Sequence, residues 1–568
     1  MDTYEAISYV WGDPSDTIEI ICQGKPFLVT RNLANALQRV RSTTESKSIW
    51  ADAVCINQQD DNEKGHQVSR MGSIYEHART VLVWLGKDEL GIANECFQFI
   101  IEANKVFDRF SRAGPREKTE MIGIYNTKEY IRGWSKVDKL TDLPWFQRLW
   151  VVQESGLAKE CTLMWGQYEL DIAELVEAGI LYEVYPELRL QSVNWSGRVT
   201  KIFTAIQCQF KNKQTWRTSK RGVEKVFVNV RNVQLTFLDL LNSTKRLNTT
   251  DARDRVYAFL GSPLASISDN HSLLEINYGT PTREVYRKIA CSLLERPREA
   301  RWVLPCVHHG TADISQCLPT WTPQWDRYFD AATIGIPLAC FCAGGLDPFF
   351  SQVKDGAQLI VQGWAFDSLS WISAPIRAAD FSLNRRDWTN ELLESQNLRI
   401  DILWNELQEI AKCPASQIQD SFNLTLVFHR MLVPEMDTPI DVQKLQADFE
   451  VYRNVMRKIL NTNTPLQPQL WSTPSFQRAA NLLDDMGLID NWRLAYSQDG
   501  KIGLAPFSAR AGDLYVILPG VNVPFLLRPT GRNTYYLVGE CYLHGVMQGE
   551  MMEELNAGKF KKETLVIE

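Results

Sequence analysis

Three short apolar runs in the first 86 residues, AISYVWG (6–12), SIWADAVCI (48–56) and TVLVWLG (80–86), are separated by segments of helical periodicity, and this alternation leaves few folds open. Near-continuous runs of aliphatic and aromatic residues read as strands buried on both faces, the kind found in parallel sheets covered by helices. Between the first two runs, RNLANALQRVR places Leu33, Leu37 and Val40 on one helical stripe, with Thr30 or Asn32 as its N-cap. Before the third, a helix is expected from about Asn62 to Arg79, with Val68, Met71, Tyr75 and Ala78 on its buried side. Parallel strands joined by helices close with right-handed crossovers, so a small doubly wound parallel sheet is the economical solution. IEIICQGKPFLVT adds two short strands around Gly24.

The pattern changes further along. Residues 166–300 read as mainly helical, as in IAELVEAGILYEVY and TREVYRKIACSLLE. Strand patterns return from LPTWTPQW (318–325) and QLIVQGWAF (358–366), and the hairpin signals SQDGKIG and LPGVNVPF between Arg493 and Gly549 predict a small antiparallel sheet or barrel. Amphipathic helices over about 385–490 read as an insertion. The expected organisation is thus an α/β domain over 1–165, a helical region over 166–300 packed on it, and a C-terminal α+β domain over 301–568. A chain of 568 residues with 45% hydrophobic content is long enough for about two to four such cores.

Composition narrows the class. The net charge of −7 gives no general attraction to nucleic acid, and KNKQTWRTSKRGVEK (211–225) reads as a solvated loop rather than a phosphate site. No run approaches the roughly 20 apolar residues that span a bilayer, and the start has no basic region followed by an apolar one, so no membrane association and a cytoplasmic location are expected. Twelve scattered cysteines then fit reduced thiols. Cys306, His308, His309, Cys340 and Cys342 lack the paired spacing of zinc modules, and no metal site is expected. G-x-S-x-G, G-x-x-x-x-G-K and G-x-G-x-x-G are missing from any strand-to-helix context, which removes the serine-hydrolase, P-loop and dehydrogenase readings. TTDARDRVYAFLG (249–261) reads as a structural helix.

Ligands of open parallel sheets sit beyond the carboxyl ends of the strands. Tyr9, Trp11 and Gly12 end the first strand, and Asn57 and Gln58 follow the second. On the next helix Glu63, Gln67 and Arg70, at spacings of four and three, make one polar face. Asp52 falls mid-strand in this reading, where an unpaired carboxylate costs several kcal/mol, so Arg70 or a backbone donor is expected to hold it. These groups either line a pocket or only cap and pair one another.

YEAISYVWGD (4–13), IWADAVCINQQDDNEKGHQVSRMGSIYEHARTVLVWLG (49–86) and LPWFQRLWVVQESGLA (143–158) together resemble the HET domain of fungal heterokaryon incompatibility proteins, over roughly residues 4–165. TTDARDRVYAFLG, LPTWTPQWD and AGDLYVILPGVNVPFLLRP, which leads into YYLVGECYLHGVMQGE, resemble the carboxyl-terminal halves of long members. The resemblance implies a role in nonself recognition and programmed cell death of filamentous fungi, with the HET domain as toxic effector. It also implies a TIR-like sheet, since HET domains are considered distant relatives of TIR domains, some of which hydrolyse NAD with a glutamate that follows a tryptophan-containing motif. Glu154 occupies that position, with NAD as a substrate and no resident cofactor. In WFQRLWVVQE, read as one helix, Arg148 lies near Glu154, and Trp145 and Trp150 offer an aromatic wall for a nicotinamide or adenine ring. On the bland reading both tryptophans are core residues and Glu154 is a surface charge or a partner of Arg148. Two other roles stay open: a non-catalytic module that signals through a protein partner or self-association, and an accessory protein of a fungal gene cluster that keeps the fold.

Overall fold

The computed structural model describes residues 4–125, 127–184, 236–268, 271–311, 313–317, 319–327, 333–335, 341–411, 414–428, 440–461 and 473–568. The basic stretch 211–225 and Cys340 lie outside them. The chain divides into two compact units, Met1–Val285 and Tyr286–Glu568.

In the first unit the apolar runs form the expected parallel strands, but shorter than their hydrophobic stretches. β1 (Glu5–Tyr9) is followed by the hairpin β2 (Thr17–Cys22) and β3 (Lys25–Thr30), helix α1 (Arg31–Val40), β4 (Ile49–Trp50), the single turn α2 (Asp52–Cys55), α3 (Asp61–His77) and β5 (Val81–Trp84). Helices α4 (Ala93–Arg112), α5 (Pro115–Tyr125), α6 (Lys128–Thr141) and α7 (Val151–Gly156) precede β6 (Cys161–Trp165), β7 (Tyr168–Asp171) and α8 (Ile172–Val184). The main sheet has the order β4-β1-β5-β6-β7. β1 runs parallel to β4 and β5, β5 runs parallel to β6, and β7 closes the edge antiparallel, so the sheet is mixed. After β1 the chain passes to β4 on one side and then to β5 on the other. That reversal makes the carboxyl end of β1 the switch point at which open sheets of this kind bind their ligands.

SIWADAVCI is therefore not one strand. It pairs only through Ile49 and Trp50, and the chain then turns at Ala51 into α2. Asp52 stands at the first position of that turn rather than mid-strand. A carboxylate in a first helical turn finds free backbone N–H groups, and the Ala53 N–H donates to Asp52 Oδ1 at 2.7 Å.

The helices follow their local signals. Thr30, not Asn32, caps α1 by accepting the Leu33 N–H. Asp60 caps α3 through the Asn62 and Glu63 N–H groups, and α3 buries Gly65, Val68, Met71, Gly72 and Tyr75. Ile7, Tyr9, Val29, Leu33, Ala36, Val40, Ala51, Trp84 and Met164 make one apolar cluster where α1 and the hairpin cover the sheet.

In the second unit the strand signals close into a ring. β10 (Ser351–Lys354) folds back on the long β11 (Gln358–Ile372); β12 (Arg493–Ser497) and β13 (Ile502–Ala505) form the SQDGKIG hairpin; and β14 (Leu514–Ile517), β15 (Phe525–Pro529), β16 (Tyr535–Glu540), β17 (Tyr542–Leu543) and β18 (Glu563–Ile567) follow. β14 pairs with both β15 and β11, so β11-β14-β15-β16-β18 returns to its start. β16 and β18 meet in parallel through Tyr535 and Ile567. Trp364, Tyr515, Ile517, Leu526 and Val538 belong to the core cluster built around these strands. Helices Asn390–Ser395, Arg399–Ala411, Ala415–Leu426, Val442–Asn461 and Pro474–Met486 interrupt the sheet between β11 and β12.

One contact in the first unit leaves no room for a side chain. A Cβ on Gly72 of α3 would meet the end of the Gln153 side chain at 2.9 Å and the Gly261 backbone at 3.2 Å. Gln153 is buried and, with its amide oriented to satisfy both neighbours, accepts the Gly72 N–H and donates to the Ala258 carbonyl. Gly72→Val is therefore expected to cost about 1–3 kcal/mol by overpacking, read as a lower midpoint in urea unfolding. An unchanged midpoint would show that this approach is not tight.

Candidate functional site

The site is assembled where β1 ends. Ser8, buried in β1, accepts the Trp145 indole N–H at 2.7 Å and donates its own hydroxyl to Glu154 Oε2. Arg148 binds the other carboxylate oxygen at 3.4 Å through Nη2 and donates through Nη1 to the Tyr9 carbonyl, the last of β1. Glu154 is only 2% exposed, yet both its oxygens are occupied. This buried pair is the arrangement an isolated carboxylate needs in a low-dielectric interior.

Segment 145–154 is not the single helix expected. A 3-10 turn over Pro144–Gln147 ends at Arg148, and α7 begins at Val151. At the break, Leu149 N–H donates to the Asn248 carbonyl at 2.9 Å and Asn248 N–H donates to the Gln147 carbonyl. The interruption lets Arg148 turn back toward β1 while α7 delivers Glu154 beside it; a continuous helix would not place two side chains six residues apart on one target.

Asp52 forms the outer half of the site. The Tyr9 hydroxyl donates to Oδ1 at 2.9 Å and the Trp11 indole to Oδ2 at 2.8 Å. Trp11 is 40% exposed, so this carboxylate lies near solvent while Glu154 lies behind it. Of the two partners expected for Asp52, the backbone donor is present as the Ala53 N–H, while Arg70 is exposed on α3 and makes no described bond to it; Tyr9 and Trp11 supply the other donors. Gly12 holds φ +79°, which carries the chain away from β1 into the hairpin.

The other expected residues serve the backbone. Gln58 donates to the Asp52 carbonyl at 3.3 Å, Asn57 accepts the Gln59 N–H through Oδ1, and the Asn57 N–H donates to Glu63. Gln67 is half-buried on α3 without a described bond to the cluster. Trp145 and Trp150 do not wall one ring site: Trp145 is buried against Ser8, whereas the Trp150 indole donates to Asp254 Oδ2 at 3.1 Å.

Several participants were not singled out from sequence. Ser8 is an ordinary strand residue until Glu154 meets it. Asn32 donates to the Val10 carbonyl at 2.6 Å and accepts the Trp84 indole at 3.0 Å, tying together the ends of β1 and β5. Asp254, in TTDARDRVYAFLG, is buried and accepts from Trp150 and, at 2.7 Å, from the Tyr278 hydroxyl. The Tyr278 ring carries Lys64 Nζ 4.3 Å from its centroid. The segment read as a structural helix is thus also the brace of α7, which only its spacing of aspartates hinted at.

Burial shapes the titration of the cluster. It pushes the Glu154 carboxyl above its ordinary value, against the opposing pull of Arg148 and Ser8. For Arg148, burial alone lowers the value, but the negative fields of Glu154 and Asp52 outweigh it and the net shift is upward. Burial and then the Asp52 charge raise the Tyr9 phenol, and burial and then Glu154 raise Tyr75, so both stay neutral at physiological pH and Tyr9 remains a donor to Asp52. Among the described residues no group of three or more His, Cys, Asp or Glu is placed to hold a metal ion. His309 Nε2 bonds the Leu537 carbonyl and Cys306 donates to the Trp302 carbonyl.

The first unit is thus a mixed-sheet α/β domain with acidic and aromatic side chains gathered at the end of β1, and the second holds a small β-ring. Residues 4–154 match the family "Heterokaryon incompatibility protein (HET)", and residues 476–561 match the "Het-6 beta-barrel domain". The chain thus carries a match to the heterokaryon incompatibility (HET) family at its amino end and to the Het-6 barrel near its carboxyl end. It is 24% identical over 667 aligned positions to "Heterokaryon incompatibility protein 6, OR allele" of Neurospora crassa, an alignment that covers 97% of this chain and 90% of the relative. No solved structure matches. Among the described residues no helix is long and apolar enough to cross a membrane.

Two substitutions probe the cluster. Asp52→Ala leaves the buried Tyr9 hydroxyl without its acceptor and is expected to cost about 1–3 kcal/mol in thermal unfolding; an unchanged melting temperature would exclude Asp52 as an anchor. Arg148→Met removes the charge that restrains Glu154, at an expected cost of about 3 kcal/mol near neutral pH. The sign with pH follows from Glu154. A carboxyl raised in the folded state contributes stability that is complete below its unfolded value and lost as pH rises through the folded one. Without Arg148 the folded value moves further up, so the deficit against wild type should narrow as pH falls from about 8 to about 5. A deficit constant across that range in scanning calorimetry would show that Glu154 is not the group responsible.

Proposed function

We propose that this chain is an effector of fungal nonself recognition, acting in heterokaryon incompatibility and programmed cell death, and that its TIR-like first domain cleaves the nicotinamide–ribose bond of NAD at Glu154. The observation that carries the reading is the seat of Glu154 at the carboxyl end of β1, beside Arg148 and Ser8 and behind the Asp52 carboxylate that holds Tyr9 and Trp11. Breaking that bond passes through an oxocarbenium-like centre, which a positioned carboxylate stabilises or captures. Nicotinamide leaves with the bonding pair, and water supplies the oxygen that joins the ribose carbon and gives up a proton. Trp11, exposed at the mouth, offers a face for the planar base.

A second reading is favoured by one specific feature. Glu154 is buried with both oxygens engaged, as in a structural ion pair, and a module that signals through a protein partner or self-association would need no free carboxylate.

The deciding experiment incubates the purified chain with NAD and assays free nicotinamide. Wild type is expected to release it, and Glu154→Gln, with its fold checked by circular dichroism, is expected to lose at least ~100-fold of that rate together with toxicity on overexpression in a fungal cell. Toxicity that persists in folded Glu154→Gln protein would leave the signalling module as the better account.

A further inference from the structure

The β2–β3 hairpin exposes more apolar surface than its size warrants. Among the described residues, Ile18, Ile21, Phe27 and Leu28 are four of the ten large apolar side chains left exposed, with Ile21 at 69% and Leu28 at 66%. Among the described residues β2 and β3 pair only with each other, so the hairpin has two outer edges there.

The ladder decides which edge is open. The register opposes Ile18 to Val29, Ile20 to Phe27 and Cys22 to Lys25, and the Arg31 N–H donates to the Asp16 carbonyl at 2.9 Å. In an antiparallel pair, hydrogen-bonded and non-bonded pairs alternate. Pairs 16/31, 18/29, 20/27 and 22/25 are therefore the bonded ones, and the N–H and C=O groups of residues 17, 19 and 21 on β2, and of 26, 28 and 30 on β3, point outward. On β3 the first outward position is Pro26, which has no N–H, and the last, Thr30, is already the cap of α1. Proline is a standard guard of a free edge. β2 has no such guard: Thr17, Glu19 and Ile21 all present donors, and the gap in their protection coincides with the most exposed isoleucine of the hairpin.

We infer that β2 is a self-association edge, which pairs antiparallel with β2 of a second copy of this chain about a two-fold axis. Outward residues must oppose outward residues, and this restricts the register. With Ile20 opposite Ile20 of the second copy, Glu19 faces Ile21 twice and Asp16, which Arg31 of its own chain binds at 2.8 Å, falls across from the Gln23–Gly24 turn beside Lys25, so the exposed base of one copy joins the acid–base pair of the other. Sliding one step toward the amino end sets Glu19 against Glu19, a like-charge pair that opposes pairing. Sliding the other way leaves only residues 20–22 overlapped. The favoured register joins two hairpins into a four-stranded sheet and covers Ile21 from both sides, an isologous contact that closes at the dimer.

Sedimentation velocity of the full chain over a hundredfold concentration range tests this. Wild type is expected to move from the 65.1 kDa monomer to a species of twice that mass. Ile21→Pro removes an outward N–H without touching the hairpin ladder and is expected to remain monomeric throughout, whereas Leu28→Pro does the same on β3 and should dimerise like wild type. Should either variant melt early, hydrogen exchange on wild type gives the same answer: the amides of Glu19 and Ile21 should slow as concentration rises, and that of Leu28 should not. A wild type monomeric across the range, equal dimerisation by Ile21→Pro, or equal protection at Leu28 would each overturn the inference, the first in favour of a strand supplied by a different protein.

Discussion

Arg148 reaches from the break between the Pro144–Gln147 turn and α7 to two acceptors, the Tyr9 carbonyl that ends β1 and the buried Glu154 carboxylate. A carboxylate that is 2% exposed is unfavourable unless its charge and both oxygens are satisfied on the spot. Segment 143–158 can therefore seat against the sheet only with Arg148 turned back and Ser8 donating. The break this requires leaves backbone groups of its own, and Asn248 takes them up by pairing with Gln147 and Leu149. A strand residue, a broken helix and a loop a hundred residues later are thus locked by one electrostatic requirement.

The acidic groups of the first unit then fall into distinct surroundings. Asp52 sits at the mouth with Tyr9 and Trp11, Glu154 behind it with Arg148 and Ser8, and Asp254 is braced by Trp150 and Tyr278. Burial raises both Glu154 and Asp254 above their ordinary values. The two tryptophans of WFQRLWVVQE have different duties within this layering: one indole supports Glu154 through Ser8, and the other fixes the start of α7 to Asp254. The β2–β3 hairpin continues directly from the mouth through Gly12, so surface for association lies a few residues in sequence from the candidate chemistry.

Much of the architecture was legible before any coordinates. Apolar runs at Ala6, Trp50 and Val81 mark parallel strands because only strands covered on both faces tolerate so little polarity. The I-I-C-Q-G-K turn marks a hairpin, since Gln23 and Gly24 both adopt positive φ and Gly pays nothing for it. Alternation after Arg493 marks the C-terminal sheet. The failures are equally local in origin. Apolar content alone extended the second strand past Trp50, because a buried helical turn has the same composition as a buried strand. For Asp52 the sequence left Arg70 and a backbone donor open, and it is the Ala53 N–H that binds it, because the rotation of α3 that turns Arg70 outward is not specified by spacing.

The sequence by itself determined where most of the first unit's strands and helices fall, and that an acid, a tryptophan and a glycine gather near the end of the first strand, because these depend on periodicity and on neighbours within a few residues. Only the tertiary structure decided which charges meet. Ser8 with Glu154, Arg148 with the Tyr9 carbonyl, Asp254 with Trp150, and the closure of the C-terminal ring through β14 and β11 join groups separated by 104 to about 150 residues. Their partners are selected by burial and by the need to satisfy every enclosed polar atom, and burial is a property of the packed chain, not of any stretch of it.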